Sequence, residues 1–367
     1  MILDKDSHFM EIALQEAMKG YGRTSPNPRV GAVITREGRE LARGYHRAYG
    51  EPHAEVDALS KISADEAKGA TLYVNLEPCC HHGKTPPCTW AVIKAGIGRV
   101  VYGMADTNAM VDGKGLNELR DAGIEVEGPV LEEDSIELNR GYLKYRRSNK
   151  PWVLLKFAQT IDGRIAASTG DARWISSDAS LELAHQLRAE SDAILVGINT
   201  ALQDDPELTV RRVPGCNPYR VVLDPTLKIS PDAKIFKADT KPVYIATQPY
   251  PPQDKAEQLT AKGAEFIWLP PGVKGTLDLD ALLTELGQKG IHYLLVEGGG
   301  NVLSSFIQRK LCDEIVVVTA PKILGGDGIP CIAPMGITKV ANAVQFEVIK
   351  REEYGPDLAV WYRPRND

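Results

Sequence analysis

The strongest constraint on how this chain folds is a pair of β/α alternations, interrupted once by the polar, basic run Arg146-Arg147-Ser148-Asn149-Lys150-Pro151. Each alternation predicts a sheet covered by helices. With 367 residues, the chain also exceeds the roughly 250–300 residues at which one hydrophobic core stops growing. Two α/β domains are therefore expected, over residues 1–147 and 151–367, the second opening with an apolar strand at Trp152–Phe157.

In the first half the periodicity predicts a helix over 8–19, a strand at Val30–Thr35, a helix after His53 and a strand over Ala70–Leu76. A helix after Pro86-Pro87, a strand at Arg99–Met104, a helix before Gly123 and a strand at Ile124–Glu127 complete the series. The second half predicts strands near 153–157, 193–197, 219–224, 242–247, 265–269 and 292–297. Helices are expected near 178–190, 254–262, 278–289 and 301–310. Phe346–Ile349 and Leu358–Tyr362, around Gly355-Pro356, read as a closing antiparallel hairpin. There is no internal repeat and no low-complexity tract.

Hydrophobic residues at 43% and charged residues at 25% suit an ordinary globular protein with a full core. The net charge of -6 gives no global attraction for nucleic acid or an anionic membrane, so a small substrate fits better. The N-terminus lacks the basic-then-apolar layout of a secretory signal, and no apolar run reaches spanning length. Three of six cysteines crowd into 79–88 and the others scatter at 216, 312 and 331, unlike a secreted disulfide framework. The cytoplasm is the expected compartment.

The chemistry of the first half centres on His53-Ala54-Glu55, Pro78-Cys79 and Cys88, each beside a predicted helix start or strand end. One imidazole and two thiolates suit zinc, and three protein ligands leave a fourth position open, the geometry of a catalytic site. Glu55, two residues beyond the ligand His53, can move a proton between a metal-activated water and a leaving amine, as in zinc deaminases. The bland alternative makes His53 a helix cap and the cysteines buried or part of a closed zinc knot. Eight residues separate Cys79 from Cys88 where the common deaminase signature has two, so Cys80, His81 or His82 could compete as ligands.

Three segments carry a resemblance. They are Ser25-Pro26-Asn27-Pro28-Arg29-Val30-Gly31, His53-Ala54-Glu55-Val56 and Glu77-Pro78-Cys79-Cys80-His81-His82-Gly83-Lys84-Thr85-Pro86-Pro87-Cys88. They closely resemble the bifunctional deaminase–reductases of riboflavin biosynthesis, in which the longer cysteine spacing is usual. The resemblance implies one zinc ion per chain on His53, Cys79 and Cys88, with Glu55 as catalytic residue, and contacts from Asn27, His46 and Lys84 to the pyrimidine or its ribose phosphate.

In the second half Val296-Glu297-Gly298-Gly299-Gly300-Asn301 runs from a strand through a glycine-rich turn into a helix. Such a turn can cradle a phosphate on helix N–H groups, although the spacing is not the dinucleotide fingerprint and a plain strand-to-helix turn reads the same way. Arg188 and Arg211 offer planar forks to phosphate oxygens. Thr160-Ile161-Asp162-Gly163-Arg164, Gly197-Ile198-Asn199-Thr200 and Asp204–Arg211 also resemble the reductase half of that family.

That resemblance extends to the whole chain. It implies a cytidine-deaminase-like three-layer domain followed by an α/β domain similar to dihydrofolate reductase and dependent on NADPH. It implies cofactor contacts from Ala158, Trp174, Thr200, Asp204, Pro225, Gly299, Gly300, Asn301, Val302, Leu303, Ser304 and Ser305, several through backbone atoms. Substrate contacts are implied for Lys156, Ala172, Arg188, Leu208, Arg211 and Glu297. Trp174 also reads as a core residue.

The expected activity is zinc-dependent deamination of 2,5-diamino-6-(5-phosphoribosylamino)pyrimidin-4(3H)-one, then NADPH-dependent reduction of the ribosyl group to ribityl. The expected partner is a small phosphorylated pyrimidine, with no nucleic acid and no membrane, and the resemblance implies a homo-oligomer. A base, nucleoside or RNA deaminase with an unrelated nucleotide-binding C-terminal domain is the competing enzyme. A non-catalytic zinc module with a nucleotide-sensing domain is the competing non-enzyme, and it has no need of Glu55.

Overall fold

The computed structural model describes residues 5–81, 86–107, 113–239, 241–272 and 275–365. The chain divides into two compact units, Met1–Asn149 and Lys150–Asp367.

The first unit runs α1 (Lys5–Met18), β1 (Gly31–Arg36), β2 (Arg39–Tyr45), α2 (Ala54–Leu59), α3 (Ala64–Ala67) and β3 (Thr71–Val74). It continues with α4 (Cys88–Ala95), β4 (Arg99–Tyr102), α5 (Lys114–Asp121), β5 (Glu125–Glu127), α6 (Glu132–Leu138) and α7 (Arg140–Ser148). The five strands order β2-β1-β3-β4-β5, antiparallel around β1 and parallel from β3 to β5.

Side chains alternate across a pleated strand, and this alternation builds three layers. Val33, Tyr73 and Val101 face Phe9, Met10 and Ala13 of α1. Ala32, Ile34, Leu72, Val74 and Val100 face the other way, onto Ala54 and Ala58 of α2, Val92 of α4 and Leu119 of α5.

The second unit runs β6 (Trp152–Thr160), β7 (Arg164–Ala166), α8 (Asp178–Glu190), β8 (Ala193–Gly197), α9 (Ile198–Asp204), β9 (Tyr219–Leu223), β10 (Val243–Thr247), α10 (Gln253–Thr260) and β11 (Ala264–Trp268). It ends with α11 (Leu279–Gln288), β12 (Tyr293–Val296), α12 (Gly300–Gln308), β13 (Glu314–Ala320), β14 (Ile329–Pro330), β15 (Phe346–Tyr354) and β16 (Asp357–Pro364). Nine strands order β11-β10-β9-β8-β12-β6-β13-β16-β15. They are parallel up to β13, and β16 and β15 add antiparallel.

The same alternation splits this core. Val153, Leu155, Leu195 and Val296 meet α11 and α12 on one face, whereas Leu154, Ile194, Val196 and Leu295 meet Leu183 and Leu187 of α8 on the other. The closing hairpin forms as expected, with Gly355 at positive φ in its turn.

Several elements differ from the sequence reading. The run Arg146-Arg147-Ser148, read as a spacer, is the last turn of α7, with Asn149 capping it at φ 56. Basic side chains suit the negative end of a helix, and asparagine tolerates the left-handed cap. Strand β2 was missed because its exposed edge is polar. Strand β13 was passed over, although its apolar run Ile315-Val316-Val317-Val318 is what a strand buried on both faces requires.

Candidate active sites

In the first unit His53 caps the N-terminus of α2 and Cys88 opens α4. Cys79 lies on the loop after β3. The fold brings these three together. His53 Nδ1 lies 3.1 Å from Cys88 Sγ and 3.5 Å from Cys79 Sγ, and all three ligand atoms fall within 4.8 Å of one another.

Zinc bond lengths of about 2.0 Å to nitrogen and 2.3 Å to sulfur place tetrahedral ligand atoms roughly 3.5–3.8 Å apart, so the donor set fits zinc. Among the described residues Cys80 and His81 do not belong to this cluster. His82 and Lys84 lie outside the described residues. The thiols share their protons unequally. A hydrogen bond from Cys88, then one from His53, pull Cys79 down, and giving that bond pushes Cys88 well up.

A cavity of about 280 Å³ opens beside these ligands, lined by Asn27, His46, His53, Glu55, Cys79 and Asp106 among others. Glu55 is 3% exposed, and burial, then the Cys79 charge, push its pKa up. Burial lowers the pKa of His46 and favours its neutral ring. That ring has both nitrogens engaged. Nδ1 lies 3.1 Å from the Pro52 carbonyl, and Nε2 lies 3.1 Å from Asn27 Nδ2. His46 therefore aims Asn27, leaving the Asn27 carbonyl and one amide N–H for a heterocycle.

The loop carrying Cys79 is tied from beneath by Glu77. Its buried carboxylate accepts N–H groups of Asp106, Gly113, Gly115 and Leu116 at 3.0–3.3 Å. Gly115 passes so close that a Cβ there would sit 2.1 Å from the Pro78 carbonyl oxygen.

Asp106, Tyr142, Tyr145 and Arg146 also line the cavity and were missed in the sequence. Tyr142 donates to Asp106 at 3.0 Å. For Asp106 a signal existed, a carboxylate just past the end of a predicted strand, where loops carry function.

In the second unit a cavity of about 300 Å³ lies at the carboxyl ends of β8, β9 and β12, where ligands bind open α/β sheets. Gly197–Thr200, Pro225, Gly299–Val302 and Ser305 line it, so Thr200 and Pro225 line the same cavity as most of the glycine-rich run. The N-termini of α9 and α12 both meet it. A Cβ at Gly298 would lie 2.7 Å from Val302 Cβ, so the backbone approaches the helix there as only glycine allows.

Five implied cofactor positions do not line this cavity. Leu303 is in the core, and Ser304 is buried, donating to the Gly300 carbonyl at 2.6 Å. Their side chains are therefore turned away from this cavity. Trp174 is 64% exposed, which removes its reading as core. Asp204 ends α9, with burial raising its pKa, and Ala158 is in β6.

Among the substrate positions, Lys156 and Glu297 leave adjacent parallel strands, with Leu155 paired to Val296. Burial, opposed by Glu297, lowers the Lys156 pKa. Arg188 pairs with Glu297 and donates to the Thr209 carbonyl at 3.2 Å. Arg211 is exposed and pairs with Glu207 at 2.8 Å, and its backbone N–H donates to His185 Nδ1 at 3.0 Å. Leu208 is buried at φ 54, so only its backbone is available. Ala172 is half-buried in the loop before α8.

Residues 3–104 match the cytidine and deoxycytidylate deaminase zinc-binding region, and residues 151–360 match the RibD C-terminal domain. The class is thus a zinc-binding deaminase domain joined to a reductase domain. Over its whole length the chain is 44% identical to riboflavin biosynthesis protein RibD of Aquifex aeolicus, covering 99% of each. It is 39% identical to that of Escherichia coli, covering 97% of this chain and 98% of the relative.

Among solved structures, Acinetobacter baumannii RibD shares 34% identity with a TM-score of 0.89, covering 99% of each chain. A diaminohydroxyphosphoribosylaminopyrimidine deaminase/5-amino-6-(5-phosphoribosylamino)uracil reductase from Thermotoga maritima shares 35% identity with a TM-score of 0.86, covering 98% of this chain and 99% of that one. This chain belongs to the RibD family of riboflavin biosynthesis, bifunctional enzymes with a zinc-dependent deaminase and an NADPH-using reductase. The expected three-layer deaminase-like unit followed by a reductase α/β unit is the architecture it shares with these structures.

Proposed function

We propose that the first unit, residues 1–147, deaminates 2,5-diamino-6-(5-phosphoribosylamino)pyrimidin-4(3H)-one. The second, residues 151–367, reduces the ribosyl group of the deaminated product to ribityl. The observation that carries this reading is the convergence of His53, Cys79 and Cys88 beside buried Glu55 and the Asn27–His46 pair in one cavity. His53, Cys79 and Cys88 would hold a zinc ion, which when bound would supply the Lewis acidity that activates a water. Glu55 takes the proton of the attacking water and returns it to the departing amine. Asn27, aimed by His46, reads the heterocycle edge.

In the second unit NADPH supplies the hydride. Gly299, Gly300 and Asn301 at the start of α12 would hold its pyrophosphate on their N–H groups, with Thr200 and Pro225 also lining the cavity. Lys156, Asp204 and Glu297 surround the reacting ribose. Arg188 is tied to Glu297 and little exposed, whereas Arg211 is the more exposed of the two and pairs with Glu207, a partner it exchanges to grip the substrate phosphate. The chain works in the cytoplasm as a homo-oligomer on a small molecule, away from nucleic acid and membranes. Its negative charge is in keeping with that, and no helix among the described residues is long and apolar enough to cross a membrane.

The test follows ammonia release and NADPH oxidation together on purified protein with the diaminopyrimidinone ribosyl phosphate, before and after zinc chelation. Ammonia that stops on chelation, with NADPH consumed after it, is the expected result. Ammonia without NADPH loss would remove the reductase assignment, and silence in both signals from zinc-loaded folded protein would overturn the reading.

A further inference from the structure

We propose that Arg146 binds the phosphate of the deaminase substrate and so selects phosphorylated over unphosphorylated pyrimidines at the first site. This rests on the deaminase reading above.

Helix α7 carries the argument. Residues three and four apart share a helix face, and Asn139, Tyr142 and then Tyr145 and Arg146 follow that spacing. Asn139, just before the helix, locks its start to the core, since its side chain accepts the Arg29 N–H at 2.8 Å and donates to the Arg29 carbonyl at 3.0 Å. One turn on, Tyr142 is buried and donates to Asp106. One turn further, Arg146 lines the cavity that holds Glu55 and the zinc ligand His53. The face that anchors the helix therefore delivers a guanidinium to the cavity.

Charge decides what that guanidinium does. The cavity wall carries three carboxylates, Glu55, Glu77 and Asp106, and among its described lining residues Arg146 is the only lysine or arginine. An anionic phosphate entering such a wall meets repulsion unless a cation faces it. Arg146 lies in the last turn of α7, where the helix end is partly negative, so the side chain rather than the backbone must meet an anion. Its positive field already reaches Tyr142, where it opposes the rise in pKa that burial causes.

The depth is right as well. Arg146 is exposed while Glu55 and Cys88 are buried, so a pyrimidine seated at the zinc ligands extends its ribosyl phosphate toward the rim. The fork of a guanidinium matches phosphate oxygens in pairs.

The test measures ammonia release by zinc-loaded, full-length protein on the ribosyl phosphate and on the same compound without its phosphate. Arg146→Ala, Arg146→Lys and Lys84→Ala are compared. Losing a charge-assisted hydrogen bond to the phosphate predicts a KM about tenfold higher for the phosphorylated substrate in Arg146→Ala. The kcat and the kinetics on the unphosphorylated compound stay unchanged, and Arg146→Lys recovers part of the loss. Unchanged melting is expected, because the side chain is at the surface.

An unaltered KM in Arg146→Ala, an equal loss on both compounds, or a loss confined to Lys84→Ala would each overturn the assignment. A wild-type protein that releases no ammonia at all would overturn the deaminase reading, and this inference with it.

Discussion

Arg188 and Glu297 are joined by two hydrogen bonds, Nη2 to Oε2 at 2.6 Å and Nε to Oε1 at 3.3 Å, partly buried in the second unit. Burial pushes the Glu297 pKa up, but Arg188 and then Lys156 outweigh it and hold the carboxyl below its ordinary value. Removing the carboxylate leaves two cations facing each other without it. Glu297→Ala is expected to cost about 3 kcal/mol or more in urea unfolding. Glu297→Gln should abolish NADPH oxidation and leave ammonia release at the wild-type rate, since the two sites lie in separate units.

His185 accepts the Arg211 N–H only when its ring is neutral, and burial, then the charges of Arg188 and Arg211, lower its pKa to about 4. The unfolded chain has a histidine pKa near 6.5, so between these values the unfolded state binds more protons. The stability from the neutral ring is fully present above about pH 6.5 and is lost as the pH falls toward 4. Urea midpoints at pH 7 and pH 5 should show a loss of roughly 1 kcal/mol or more for the wild type. His185→Asn, which keeps an acceptor but not the titration, should lose less.

Cys88→Ser replaces a soft zinc ligand with a hydroxyl. Zinc content and ammonia release should both disappear, while NADPH oxidation with the deaminated substrate persists. Glu55→Gln should separate these readouts, retaining zinc and the melting temperature while ammonia release falls by at least about a hundredfold.

Glu77 lines the first cavity, yet its carboxylate accepts four backbone N–H groups that depend on it. Glu77→Ala leaves them without their acceptor, at about 1–3 kcal/mol for each one that finds no other partner. Hydrogen exchange should accelerate at Asp106, Gly115 and Leu116 before the rest of the unit, and protection equal to wild type would remove this account of the loop.

Gly298→Ala forces a methyl group into Val302. Overpacking of this kind costs about 1–3 kcal/mol, and the shift falls on the start of α12. A raised KM for NADPH with unaltered deaminase kinetics is expected from steady-state assays.

Much of both units was legible because the physics is local. The strands at Val153–Leu155, Ala193–Gly197 and Tyr293–Val296 are apolar runs buried on both faces, and such runs need no partner to be recognised. The ligand motif was legible too, since His53 and Cys88 sit at helix starts that proline and charge patterning announce. Illegible were the elements whose character comes from their neighbours. Strand β2 is polar because it is an edge, and α7 ends in Arg-Arg-Ser because a helix terminus and a linker share that composition. Leu303, Ser304 and Leu208 fell within or beside the implied contacts, but only packing shows that their side chains point away from solvent.

The sequence alone determined the candidate donors of the zinc site, His53, Cys79 and Cys88 with Cys80, His81 and His82 as rivals, the glycine-rich turn before α12 and the division into two α/β halves. All three are properties of residue type and short spacing. Only the tertiary structure decided that His46 is held by the Pro52 carbonyl and aims Asn27, that Arg188 is tied to Glu297 while Arg211 pairs with Glu207, and that Arg146 belongs to a cavity rather than a spacer. These depend on which groups meet across tens of residues, and a hydrogen bond or ion pair exists only where folding has already placed its partner within about 3 Å.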